Sequence, residues 1–190
     1  METVLVGGYA MSSKAASEVE DFDALVRQHR PRVFRYILAS LRDRDAAENL
    51  TQDCFVRAYQ ARAKFRGDSS IGTWLMSIAV NLVRDHATNS RLRFWRRAQH
   101  ASIDASEAGK WLPDRAASPE TAALARLQVA AVWKAAAKLS ERQRTVFLLR
   151  FVEDMDLLEI AAATGIKEGT VKTHLFRALE SVREAIEEKP

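Results

Sequence analysis

The chain has 190 residues, 47% of them hydrophobic and 28% charged, with a formal charge of +4; this is enough apolar material for one folded domain or two small ones and too balanced for a disordered polymer. The single Cys54 excludes an internal disulfide, and with four scattered histidines it offers no zinc-site spacing. No stretch approaches about 18 uninterrupted apolar residues, and no secretory signal is recognisable, so we expect a protein of the reducing cytoplasm without membrane insertion.

Most of the chain has helical periodicity. Only 7 glycines and 4 prolines interrupt apolar residues that recur at three- and four-residue steps, which predicts a mostly helical protein and excludes an all-β fold. Residues 1–19 show no period and are expected to be a flexible tail. A helical stripe then runs from Phe22 to Leu41, interrupted or kinked near Pro31. Asp45 and Glu48 have the spacing of an N-terminal capping box for a second helix.

The second helix has two different faces. Its apolar face includes Cys54, which we expect to be a buried core thiol without a catalytic role. Its polar face carries Glu48, Asn49, Gln52 and Asp53. The pattern alone leaves open whether this patch is simple solvated surface or a site for a partner.

A loop and a third helix follow. Residues 65–73 (FRGDSSIGT) break every period, and a helix is predicted to restart at Thr73 or Trp74. Its buried stripe leaves Asn81 and Arg84 on other faces. The segment 91–97 (RLRFWRR) interleaves four arginines with two aromatic rings, which suits phosphate contact with base stacking or, equally, a solvated helix end with buried rings.

The second half of the chain indicates a separate small domain. Residues 98–118 lose all periodicity and are predicted to be a flexible linker, after which Ser118 and Pro119 open a helix that runs to about residue 139. Two further capping boxes, at Ser140 and at Asp156, precede shorter helices, the second of which ends at Gly165. A short helix, a glycine turn and a longer final helix form a candidate helix-turn-helix.

In a helix-turn-helix, side chains near the start of the second helix read the major groove. The polar residues there are Glu168, Thr170, Lys172, Thr173, His174 and Arg177. An ordinary helical hairpin with a polar outer face is the alternative. Residues 139–190 carry 8 basic and 10 acidic side chains, so we expect this segment to bind duplex DNA weakly without help from a partner.

Catalytic interpretations find no support in the sequence. The histidines at positions 29, 86, 100 and 174 are widely separated, and neither a glycine-rich phosphate loop nor a nucleophile elbow is present. We therefore expect a protein that is not an enzyme and that needs neither a metal ion nor a cofactor.

Several segments together resemble a known family. AENLTQDCF at 47–55, FRGDSS at 65–70, TWL at 73–75 and IAVN at 78–81 resemble region two of extracytoplasmic-function (ECF) sigma factors, and EIA at 159–161 with GTVKTHL at 169–175 and RA at 177–178 resembles their region four. The likeness covers about residues 20–187, with the expected order and linker. The helix-turn-helix alone also resembles LuxR-type activators, so the match in the first half decides between the two families.

This resemblance implies an all-α protein of two small helical domains: region two over 20–97, the linker over 98–118 and region four over 119–187. It implies a bacterial transcription factor that binds core RNA polymerase, recognises the −10 and −35 promoter elements and helps to melt DNA. Glu48, Asn49, Gln52 and Asp53 would face the clamp of the largest polymerase subunit, although Asn49 departs from the family's usual acid.

The resemblance also assigns DNA contacts. Residues 168–177, including the six polar residues named above, would read the −35 element. The melted −10 strand would be held by Phe65, Ser69, Ser70, Trp74, Asn81, Arg84, Arg91 and Arg93. Because Trp74 lies next to the buried stripe of its helix, the sequence also leaves open that Trp74 is a core residue. Family members are commonly controlled by an anti-sigma factor, which is therefore an expected partner.

Two other hypotheses remain open at this point. A stand-alone regulator would use only residues 139–190 and bind duplex DNA without polymerase. A pure interaction protein would bind another protein and no nucleic acid.

Overall fold

The computed structural model describes residues 21–96, 129 and 131–187, and for residues 89–96 the backbone alone. Every regular element in these ranges is helical, which confirms the all-α prediction. The elements are α1 (Phe22–Leu41), α2 (Arg44–Ala61), a 3₁₀ turn (Arg62–Lys64), α3 (Ile71–Arg96), α4 (131–138), α5 (Glu141–Phe151), α6 (Leu157–Thr164) and α7 (Glu168–Glu187).

Three of the sequence predictions lie outside the described residues: the tail at 1–19, the linker at 98–118 and the helix start at Ser118. Among the residues that are described, no helix is both long and apolar enough to cross a bilayer.

The first two helices differ from the prediction in two respects: α1 is not interrupted at Pro31, and α2 has a different cap. A single helix, α1, runs through Pro31 and ends at Leu41, and the C-cap residue Arg42 has a left-handed φ of 55°. The predicted capping box at Asp45 is wrong, because α2 starts two residues earlier and Asp43 is its cap, with the Asp43 carboxylate accepting a hydrogen bond from the Ala46 N–H at 2.9 Å. Asp45 instead lies in the first turn, where a negative charge favours the helix dipole.

The start of α3 also differs from the prediction. The helix begins at Ile71 rather than at Thr73 or Trp74. The reason is Ser70, whose Oγ accepts the Thr73 N–H at 3.1 Å while its carbonyl accepts the Trp74 N–H at 2.9 Å. Ser70 is therefore the N-cap, and the preceding loop turns through Gly67 at a φ of 76°.

The C-terminal helices begin and end as the sequence predicts. Both capping boxes are formed, one between Ser140 and Gln143 and the other between Asp156 and Glu159. Gly165 ends α6 with a φ of 71°, which glycine adopts without steric cost. These local signals fix the short helix, turn and long helix of the helix-turn-helix.

Two helical sets share one core. The first consists of α1, α2 and α3, and the second of α5, α6 and α7. The sets pack directly on each other, α6 against α3 and α5 against α1, and their buried apolar residues form one continuous cluster. Cys54 lies inside this cluster with no exposed surface, which confirms it as a core thiol.

Candidate functional site

A groove opens between α1 and α2 on the surface of the first helical set. Its volume is about 630 Å³, and Glu48, Asn49 and Gln52 line it, whereas Asp53 is exposed beside it. The structure thus brings three of the four residues predicted for partner binding to one concave surface. We call this surface the α1–α2 groove.

The groove is more apolar than the predicted polar patch. Val56 and Tyr59 also line it and are 48% and 49% exposed, although large apolar side chains are usually covered. The polar pattern did not point to these two residues. The available signal was spacing, since positions 49, 52, 56 and 59 fall on one helix face at steps of three and four.

Charge and ring contacts shape the edges of the groove. Glu48 accepts a hydrogen bond from Arg30 Nη2 at 2.7 Å, which ties α2 to α1. The Tyr59 ring meets Phe22 edge-on at 5.1 Å between centroids, and the Arg62 guanidinium lies 3.6 Å from the Tyr59 centroid. These contacts hold Tyr59 in place while leaving half of its surface exposed.

A second surface runs along α3. Trp74, Ser77, Asn81 and Arg84 follow each other at steps of three, four and three, so they share one face of the helix. Trp74 is half-buried, whereas Asn81 and Arg84 are exposed and joined by a 2.7 Å hydrogen bond from Arg84 Nη2 to Asn81 Oδ1. We call these four residues the α3 face.

The loop before α3 packs against the start of the α3 face. Phe65 is only 6% exposed, and its ring packs against that of Trp74 with centroids 4.9 Å apart. Ser70 uses its Oγ to cap α3, and Ser69 is half-buried beside it. Phe65 and Ser70 therefore lie where the loop prediction put them, but their side chains are occupied in holding Trp74 and the helix start.

The last two residues predicted for this surface, at positions 91 and 93, lie in the final turns of α3. Their side chains are outside the described part of the chain.

The third surface is the start of α7 in the helix-turn-helix. Thr170, Thr173 and Arg177 are exposed and lie on one helix face, at steps of three and four. Thr173 also donates its hydroxyl proton to the Gly169 carbonyl at 3.0 Å. This face offers hydroxyl and guanidinium groups of the kind that contact phosphates and base edges.

The other three residues predicted on α7 are either paired with each other or partly buried. Lys172 Nζ pairs with Glu168 Oε1 at 2.7 Å, so each charge is partly neutralised by the other. His174 is half-buried, and its Nδ1 is enclosed without a hydrogen-bond partner among the described residues. Arg177 is therefore the strongest candidate on α7 for a direct DNA contact.

The fold and these surfaces define a class: an all-helical nucleic-acid-binding protein with a helix-turn-helix and a separate, partly apolar groove suited to a protein partner. Comparison with family models specifies this class further. Residues 25–101 match the model described as Sigma-70 region 2, and residues 130–182 match Sigma-70, region 4. The two matches contain every residue that the sequence predicted for the three surfaces.

Two sequence relatives agree with the family models. The chain is 32% identical over 170 residues to RNA polymerase sigma-H factor of Pseudomonas aeruginosa, covering 87% of this chain and 86% of the relative. It is 31% identical over 165 residues to ECF RNA polymerase sigma-E factor of Escherichia coli K12, covering 85% and 84%. The chain belongs to the ECF sigma factors, which are transcription initiation factors and not enzymes.

Solved structures show the same fold. A sigma factor RpoE crystallised with the anti-sigma factor NepR from Bartonella quintana superimposes with a TM-score of 0.70 at 20% identity, covering 90% of this chain and 99% of that one. CnrH, solved with the cytosolic domain of CnrY, gives a TM-score of 0.63 at 21% identity, covering 93% and 96%.

Proposed function

We propose that this chain binds core RNA polymerase and directs it to promoters with a particular pair of −10 and −35 elements, where it also helps to melt the duplex. The observation that carries the proposal is that one chain combines the α1–α2 groove, the α3 face and the helix-turn-helix, in the order of the two sigma regions. The proposed domain bounds are 20–97 and 119–187, joined by 98–118. Acting on polymerase places the protein in the cytoplasm.

The α1–α2 groove is the proposed docking site for the clamp of the largest polymerase subunit. Exposed Tyr59 and Val56 supply an apolar centre, and Asn49, Gln52 and Asp53 supply a polar edge. Interfaces commonly concentrate their binding energy in such a central aromatic residue surrounded by polar groups.

The α3 face is the proposed site for the melted −10 strand. Unstacking a base costs a few kcal/mol, which a stacking ring and nearby donors must offset. Trp74 provides the ring, Asn81 provides hydrogen-bonding groups, and Arg84 provides positive charge for a phosphate. The buried Phe65 ring holds Trp74 in position.

The start of α7 is the proposed reader of the −35 element, with Thr170, Thr173 and Arg177 as its main contacts. The segment 139–190 carries 8 basic and 10 acidic side chains, and a segment without net positive charge gains little non-specific affinity for duplex DNA. Polymerase would therefore supply much of the affinity, while α7 supplies sequence preference. This charge balance also disfavours a stand-alone DNA-binding regulator.

An anti-sigma factor is the proposed negative regulator. Two solved relatives of the same fold, RpoE and CnrH, are described in complex with the anti-sigma factor NepR and the cytosolic domain of CnrY. This part of the proposal rests on the shared fold and not on a particular contact of this chain.

The decisive experiment is in vitro transcription of bacterial genomic DNA by core polymerase with and without this protein, with mapping of RNA 5′ ends. Discrete new start sites that share two upstream elements are expected. Absence of new starts together with absence of polymerase binding would overturn the proposal. Sequence-specific duplex binding without polymerase would instead support the stand-alone regulator.

The docking site is tested with a matched pair of variants. Tyr59→Ala should weaken binding to core polymerase at least tenfold, a change of about 1.4 kcal/mol. Gln52→Ala, in the groove, should weaken it more than Gln28→Ala, which makes the same chemical change at an exposed position on α1 outside the groove. Equal binding by all three variants and the wild type would place the polymerase contact elsewhere.

A further inference from the structure

The two helical sets are joined by an ion cluster of one buried acid and two arginines whose side chains are 31% and 36% exposed. Glu153, in the turn between α5 and α6, has a fully buried carboxylate that accepts hydrogen bonds from Arg35 Nε and Nη2, both at 2.9 Å, and from Arg32 Nε at 3.2 Å. Arg32 Nη2 also donates to the Glu153 carbonyl at 2.9 Å. Both arginines belong to α1, so a single acid in the second set is held by two cations of the first.

The energetics of this cluster depend on the two sets staying together. Burial raises the pKa of the Glu153 carboxyl, and the hydrogen bonds and charges of Arg35 and Arg32 oppose that rise. The hydrogen bond to Glu153 in turn raises the pKa of Arg35. Removing one partner from a buried pair leaves an uncompensated charge, which is strongly unfavourable. The closed arrangement therefore needs the arginines in place.

A second contact lies where the proposed −10 site begins. Thr73, in the first turn of α3 and only 3% exposed, donates its hydroxyl proton to Glu159 Oε1 of α6 at 3.4 Å. Glu159 uses its other oxygen to accept the Asp156 N–H at 3.0 Å and so completes the α6 cap. The first helix of the helix-turn-helix thus covers the helix turn that carries Trp74.

We infer that Glu153, Arg32 and Arg35 form a latch that holds the free chain in a closed state, in which the helix-turn-helix lies against the start of α3. We call these three residues the Glu153 latch. The inference rests on the proposed function, because it concerns whether the two DNA-binding surfaces can engage one promoter at the same time.

Geometry makes the closed state incompatible with binding both promoter elements. Elements centred 10 and 35 base pairs upstream are about 85 Å apart along the duplex, at 3.4 Å per base pair. Helix α6 touches α3, and α7 packs on α6, so helices about 10 Å in diameter place α7 within roughly 20 Å of α3. The latch must therefore open before α3 and α7 can occupy their elements on one promoter.

A distance measurement on the free, full-length protein tests the latch. Donor and acceptor dyes are attached through Asp45→Cys and Glu180→Cys, two exposed positions in different helical sets. Cys54 is completely buried and stays unlabelled. Energy transfer is compared for the wild-type latch, for Glu153→Gln, and for Arg32→Ala combined with Arg35→Ala. Asp154→Asn is the matched control, because it neutralises the neighbouring exposed acid.

The latch predicts high transfer in the wild type and in the Asp154→Asn control. It predicts lower transfer in both latch variants, with an open-to-closed ratio raised at least tenfold, while circular dichroism shows unchanged helix content. Low transfer in the wild type, or equal transfer in wild type and both latch variants, would overturn the inference.

Failure of the latch can be distinguished from failure of the proposed function. The transfer measurement contains neither polymerase nor DNA, whereas the mapped transcription starts require both. Changed transfer together with neither new start sites nor polymerase binding would keep the latch and overturn the proposed function. New start sites together with equal transfer in the wild type and both latch variants would overturn the latch and keep the proposed function.

Discussion

Replacing Trp74 with alanine separates a DNA-binding role for this ring from a structural one. The Trp74 ring is half-buried and packs on Phe65 at 4.9 Å, so both roles are physically reasonable. If the exposed part of the ring stacks on an unpaired base, Trp74→Ala should bind core polymerase normally and open promoters poorly. Trp74→Phe should retain part of the opening activity, because it keeps an aromatic surface.

The size of the effect follows from the contacts. Stacking of a base on an aromatic side chain contributes about 1–3 kcal/mol, which is about a 5- to 150-fold change in the equilibrium for opening. Phe65→Ala tests the supporting ring separately. Since Phe65 is only 6% exposed, its removal should lower the free energy of unfolding by about 3–5 kcal/mol, as for other buried aromatic residues.

The assay follows a 2-aminopurine base at the upstream edge of the bubble, whose fluorescence rises when it unstacks. Polymerase binding and thermal unfolding are measured in parallel for each variant. Normal opening by Trp74→Ala would refute the stacking role. Loss of polymerase binding or of cooperative unfolding would show that Trp74 is a core residue.

The other predictions concern three separate parts of the molecule. Arg177→Ala should weaken initiation at promoters that carry the −35 element by about 1–3 kcal/mol in run-off transcription, and an equal loss at promoters lacking the element would contradict the assignment. Asp156→Ala removes the α6 cap and should lower the free energy of unfolding in urea by about 0.5–2 kcal/mol, whereas unchanged stability would refute the capping role. Burial raises the pKa of the Cys54 thiol to about 12, so iodoacetamide at pH 8 should modify it only after unfolding. The thiol of the unfolded chain has the ordinary cysteine pKa of 9.0 and loses its proton at a lower pH than the buried thiol does. The free energy of unfolding should therefore fall as the pH rises above 9.0.

Local signals in the sequence predicted most of the helix boundaries in the second half. Ser140, Asp156 and Gly165 each act on backbone groups within a few residues, so their spacing alone determines the caps. The same logic failed at α2, where Asp43 and Asp45 are both good caps and only the preceding turn at Arg42 decides between them. It failed at α3 because the loop signal of residues 65–73 concealed that Ser70 caps the helix and that Ile71, four residues before Leu75, begins its buried stripe.

The groove and the latch depend on contacts that a linear pattern does not contain. Tyr59 and Val56 are residue types that often lie in protein cores, and only the packing of α1 beside α2 shows that they are exposed. Glu153 belongs to an acidic stretch with Asp154 and Asp156 that is typical of solvated surface. Its partner Arg35 is 118 positions away in the sequence, so only the tertiary arrangement shows that this one acid is buried.

The continuous apolar core has a thermodynamic consequence. Residues 131–187 are too few to bury a large fraction of their own surface, and domains of that size are marginally stable. The C-terminal helices therefore gain stability from the first helical set, and the wild-type chain should melt in one calorimetric transition. Once the sets separate, the heat-absorption peak should split and the DNA-reading helices should melt first. A sigma factor with this arrangement is most stable in its free, closed state. Contacts with polymerase must therefore offset the stability that is lost when the two helical sets separate.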